Sequence, residues 1–163
     1  MALIVETGLI VAGADAYCTE QYADDYHESM GNTGWNTVAD KEAAIRKATL
    51  YMSQNYWNRW AGIRTNQYQT LDWPRYGIVA FGYPVQQDVI PNEIKKACAE
   101  LALKASTGEL LADQDIAVVR EKIGPIETEY DKNASQRKKY PAIDAMLAPY
   151  LNGGVSSVPM VRI

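Results

Sequence analysis

The sequence predicts a mainly α protein: a small helical bundle with a β-strand or hairpin near residues 116–130 and an extended C-terminal tail. Three observations lead there. Apolar residues recur at spacings of three and four in Tyr22/Ala23/Tyr26/Met30, in Ile45/Ala48/Met52/Tyr56/Trp60, and in Ile94/Ala97/Cys98/Leu101/Ala102/Ala105. Period-two alternation appears instead at Val118/Arg120/Lys122 and Ile126/Thr128/Tyr130, interrupted by Gly124-Pro125. A chain of 163 residues that is 47% hydrophobic and 22% charged fits one globular domain able to build a core without disulfides or metal. The predicted division is a helical domain over residues 1–151 and an extended arm over 152–163.

The elements follow in order. Leu3–Val5 and Leu9–Val11 are short β-branched runs broken by glycines, an edge strand or an extended arm. Thr19 is placed to cap a helix over Glu20–Met30, with Glu20 in the first turn where the helix dipole favours an acid. Asp40 caps the next, about five turns long over Asp40–Ala61, with Gly62 as its stop. Thr65–Leu71 reads as a polar turn or short helix. The proline in Trp73-Pro74 forces an extended turn. Ile78–Val85 is a short strand or loop. Pro91 opens a helix over Pro91–Thr107 that Gly108 closes. Pro141 opens a last short helix over Ala142–Leu151.

Composition excludes several functions. The start, MALIVETGLIVAG, lacks the basic region of a signal peptide. No run approaches the about 20 apolar residues of a membrane span. Cys18 and Cys98 stand alone, outside any zinc-type spacing, and Cys98 reads as a small buried hydrophobe. The single histidine, His27, sits among Asp24, Asp25 and Glu28 and reads as an exposed helical side chain beside carboxylates. No phosphate-cradling glycine motif occurs. No catalytic, cofactor-binding or metal-binding residues are therefore assigned, and the chain is expected not to be an enzyme.

Two features suggest interaction. Residues 1–44 carry eight acids against Lys41 alone, while the remainder carries fifteen bases against twelve acids. Such a split suits oriented docking or self-association, or else a solvated acidic helix. The stretch Leu50–Gly77 concentrates Trp57, Trp60, Trp73, Tyr51, Tyr56, Tyr68 and Tyr76 beside Arg59, Arg64 and Arg75. Tyr56 and Trp60 fall on the core stripe, and base stacking on such rings is the alternative use. The tail Val155, Val158, Met160, Val161 and Ile163 follows Gly153-Gly154 and is expected to bind a partner. Lys132–Lys139, basic throughout, is expected near an acidic surface.

The motifs Leu71-Asp72-Trp73-Pro74-Arg75-Tyr76-Gly77, Ile90–Ala102 (I-P-x-x-I-K-x-A-x-x-E-L-A) and Arg120–Tyr130 (R-E-K-I-G-P-I-E-x-E-Y) resemble those of tailed-phage proteins that carry a DnaT-like single-stranded-DNA-binding label. Their length and layout are similar to those of head–tail connector adaptors. That resemblance implies a structural virion protein, assembled in the host cytoplasm. A ring, a dodecamer as the resemblance implies, would join the portal protein to a downstream neck or tail-completion protein, and double-stranded DNA would pass through without sequence-specific binding. Trp57, Trp60, Leu71, Trp73, Pro74 and Arg75 would be its packed structural motif. The alternative is a single-stranded-DNA-binding replication accessory.

Overall fold

The computed structural model describes residues 2–111, 120–123, 126–129 and 138–152. It corrects the helical-bundle expectation to a mixed α/β fold. The helices are α1 (Glu20–Ser29), α2 (Lys41–Tyr56), α3 (Asn92–Thr107) and α4 (Pro141–Leu147), with 3-10 turns at Thr33–Thr37 and Ala148–Tyr150. Three antiparallel two-stranded ribbons accompany them: β1 (Ile63–Arg64) with β2 (Arg75–Tyr76), β3 (Val79–Ala80) with β4 (Tyr83–Pro84), and β5 (Arg120–Ile123) with β6 (Ile126–Glu129). The first four strands are two residues long, too short for any alternation to register in the sequence. The last pair is a hairpin within the range where a strand or hairpin is expected.

Helix starts obey their caps. The Thr19 hydroxyl accepts from the Tyr22 amide at 3.0 Å, and the Asp40 carboxylate accepts from Ala43 at 2.8 Å. Pro91 lies one position earlier than expected, as the residue before α3. The end of α2 differs more, stopping at Tyr56 rather than Ala61. Tertiary pairing peels the chain away there. Trp60 forms an antiparallel bridge with Leu151, and the Ala61 amide donates to the Tyr150 carbonyl at 2.9 Å. Asn152 completes the junction by donating to the carbonyls of Arg59 and Trp60. Residues 153–163, including the predicted partner-binding Val155, Val158, Met160, Val161 and Ile163, lie outside the described residues, as does 132–137 of the basic run.

The core lies where α3 meets α2, α1 and α4. Ile45, Ala48 and Met52 of α2 are buried, as are Ile94, Ala97, Cys98, Leu101 and Ala102 of α3. Small side chains along α3 let its neighbours approach closely. Thr49 sits 3.4 Å from the Cys98 sulfur, so Cys98 is the small core residue its stripe predicts. On α1 the buried positions are Ala23 and His27, while Met30 is 57% exposed. His27 thus corrects the exposed reading. Its Nε2–H donates to the Ala99 carbonyl at 3.0 Å, and its Nδ1 accepts from the Asn32 amide at 3.1 Å. A histidine four residues after a buried alanine shares its face, and both ring nitrogens are satisfied there.

The acidic start is mostly spent internally. The buried Glu6 carboxylate accepts from the amides of Gly8, Ile10 and Val11 at 2.8–3.1 Å, closing the loop between the two β-branched runs. That loop lies against the backbone at Asp88, which a side chain on Gly8 would strike. Val5 bridges Ala16, so this segment is neither a free arm nor part of a ribbon. Asp15 accepts from the Ile4 amide and pairs with Arg46 at 2.7 Å. Asp24 takes both the Trp35 indole N–H and Lys41 at 2.7 Å. Burial pushes the Asp24 carboxyl up, but the bonds from Lys41 and Trp35 outweigh it and hold the group below its ordinary value. Asp25, Asp40 and Glu42 have partners on or beside their own helices. Among the described residues, no helix is long and apolar enough to cross a membrane.

Candidate nucleic-acid interface

The segment between α2 and α3 sorts its side chains into two sets. Inside are Trp60, Leu71, Trp73, Pro74 and Arg75, five of the six residues of the expected structural motif. The sixth, Trp57, is 66% exposed at the end of α2. The buried rings form a continuous ladder. Tyr56 meets Trp60 at 5.6 Å between centroids, Trp60 meets Trp73 edge-on at 5.7 Å, and Trp73 meets Tyr150 edge-on at 5.6 Å. The edge-on angles of the last two pairs are those aromatic quadrupoles favour.

Long polar side chains hold the surrounding backbone. The peptide bond Trp73–Pro74 is cis. The Arg75 guanidinium donates to the carbonyls of Ala61, Gly62 and Asp72 at 2.8, 2.9 and 3.3 Å. Burial works against its charge, and the nearby Asp72 supports it. Buried Gln69 donates to the Leu71 and Pro74 carbonyls and accepts from the Asn66 amide. Arg64 donates to the carbonyls of Gln69 and Leu71. Burial raises the Asp72 carboxyl, opposed by Arg64 and Arg75. Gly62 has a φ of +65°, and a side chain there would strike the Tyr76 carbonyl and Ile78, so only glycine lets β1 and β2 close. Arg64 and Arg75, which stand beside the aromatic residues in the sequence, are thus engaged by the backbone. Arg59 reaches Asp144 at 3.4 Å across a half-exposed pair.

With the backbone tied from within, the remaining rings face solvent. Tyr68 is 85% exposed, Tyr83 76% and Phe81 65%, with Tyr76 also outside. Among the described residues, every exposed large aromatic falls between Trp57 and Tyr83. Ile63 and Tyr76 are direct cross-strand neighbours in the β1–β2 ribbon, and both are exposed. Their proximity in sequence was visible, but a two-residue strand gives no sign of which rings point outward.

A segment that fixes flat apolar rings in water, with only modest positive charge, has the chemistry of a stacking surface for exposed bases or of a protein contact. The chain matches, over residues 1–163, the profile described as "Putative DnaT-like ssDNA binding protein". It belongs to that DnaT-like ssDNA-binding family. Neither the curated proteins nor the solved structures contain a match to it. The family match overturns the head–tail connector expectation, and with it the virion, portal-binding, neck and DNA-ejection roles. The acidity of residues 1–44 is largely consumed in caps, loop closure and ion pairs, so it does not report a charged lining. Among the described residues, no cluster of three or more His, Cys, Asp or Glu side chains could hold a metal ion.

Proposed function

We propose that this chain is a non-enzymatic accessory protein that binds single-stranded DNA by stacking unpaired bases on the rings exposed between Trp57 and Tyr83. The observation carrying this reading is that, among the described residues, the exposed large aromatics concentrate in that one segment, on a backbone fastened by Arg64, Gln69 and Arg75. Family membership supports the same ligand class. Stacking is tolerant of sequence because every base has a π-face. Because two of the three arginines in the segment are committed to carbonyls, binding depends on rings more than on phosphate contacts.

Trp57 gives a direct readout, since Trp35, Trp60 and Trp73 are buried. Titration with oligothymidylate should quench tryptophan emission. The logarithm of affinity should fall with the logarithm of salt concentration at a slope near that of one phosphate contact, about −0.7. If neither tryptophan emission nor the anisotropy of a labelled oligonucleotide responds at tens of micromolar protein, the reading is wrong, and the aromatic segment belongs to a protein contact instead.

A further inference from the structure

The β3–β4 hairpin closes through two residues, Phe81 and Gly82, between the paired Ala80 and Tyr83. Both have positive φ, 54° and 83°. This is the two-residue hairpin loop that Asn-Gly or Gly-Gly fills readily, because each centre must enter the left-handed region. Gly82 belongs there. Phe81 does not: a bulky ring without a local hydrogen-bonding group is a true outlier at positive φ. Burial does not compensate, since the ring is 65% exposed. The ring meets Tyr150 edge-on, 6.3 Å between centroids. Tyr150 is itself buried, packed on Trp73 and donating its hydroxyl to Glu93 at 2.6 Å. The hairpin therefore holds a large ring outward, in an unfavourable backbone conformation, on a firm footing, beside the exposed Tyr83. Backbone outliers that the surrounding structure over-determines concentrate at ligand contacts.

We infer that Phe81 is the specificity-determining residue of the interface, the ring that distinguishes unpaired from paired DNA. The inference rests on the single-strand-binding reading above and names the side chain that selects its substrate. A ring carried on a two-residue tip can cover a base only where one face of that base is free. In a duplex both faces are already stacked, whereas in a single strand they are open.

The test uses the full chain with Phe81→Asn, Phe81→Ala and Phe81→Tyr. Anisotropy of labelled oligothymidylate and of a labelled hairpin duplex gives the two affinities, and thermal melting gives stability. Phe81→Asn should weaken single-strand binding about tenfold or more while leaving duplex binding unchanged. The same change should keep or raise the melting temperature, because Asn-Gly suits the turn. Phe81→Ala should lose binding similarly, and Phe81→Tyr should retain it. Wild-type single-strand affinity in Phe81→Asn would overturn the inference alone. A lowered melting temperature in Phe81→Asn would overturn it too, by showing that the ring serves packing. A wild-type protein that binds no single strand would remove the parent reading, and this one with it.

Discussion

Between Lys41 and Thr107 the same kind of side chain meets two opposite fates. Helices α2 and α3 turn Ile45, Met52, Tyr56, Ile94 and Leu101 inward, and mainly apolar packing defines their faces. The segment joining them leaves Trp57, Tyr68, Tyr76, Phe81 and Tyr83 in solvent. Its order comes from the buried Trp60 and Trp73 rings together with polar reach: the side chains of Arg64, Gln69 and Arg75 satisfy backbone carbonyls that no helix or long ladder serves. A helix answers its own backbone groups and so must spend its apolar side chains on the core. An irregular segment whose backbone is answered by buried guanidinium and amide groups can keep aromatic rings outside. That difference is what makes the segment available for binding.

Tryptophan substitutions should break the contrast most visibly. Trp73→Ala removes a fully buried ring from the ladder and should cost about 3–5 kcal/mol in denaturant unfolding. Trp57→Ala should stay within about 0.5 kcal/mol of wild type, because the ring is largely exposed. Equal costs would mean that the inside and outside assignments are wrong.

Arg75→Met comes next. It keeps much of the side chain's length but leaves the Ala61, Gly62 and Asp72 carbonyls without their shared donor, at about 3 kcal/mol. Arg75→Lys should recover little of this, since one ammonium lacks the planar fork that reaches three acceptors. Full recovery in the lysine variant would show that charge, rather than geometry, holds the loop.

The smallest expected effect sharpens the comparison through pH. Asp24, beside the helical layer, is held below the ordinary carboxyl value by Lys41 and Trp35, against the upward push of burial. Its stabilisation is present above the unfolded-state value and lost as pH falls through the folded one. Asp72, in the aromatic segment, is raised by burial. Between its unfolded and folded values the native state binds the extra proton, so its contribution to stability declines as pH rises across that window. Asp24→Asn should therefore flatten the acid loss of stability. Asp72→Asn should remove an opposing slope and make the remaining acid loss steeper. Melting curves from pH 3 to 7 should show the two variants departing from wild type in opposite senses, and a shared direction would refute one of the assigned shifts.

Much of the helical layer was legible in the chain. Thr19 and Asp40 mark helix starts because a side-chain oxygen can satisfy an amide that the first turn leaves open, a purely local matter. The α3 stripe likewise foretells its buried face. The end of α2 was not legible, because the pairing of Trp60 with Leu151 is decided by a stretch of chain about ninety residues away. The burial of His27 was missed because a titratable residue is discounted on an apolar face until both of its nitrogens are seen to be paired. The acidic start suggested long-range electrostatics, yet Glu6, Asp15 and Asp24 act at hydrogen-bond range on their immediate neighbours.

By itself the sequence determined the periodic elements, the aromatic richness of Leu50–Gly77 and the absence of familiar catalytic spacings, because each is written in neighbouring residues. Only the tertiary structure decided which rings are core and which are surface. It also decided that Arg64 and Arg75 hold backbone rather than remain free for phosphate, and that Phe81 stands at positive φ on a hairpin tip. Those outcomes depend on which distant carbonyls and rings come within a few ångströms, and local spacing carries no record of that.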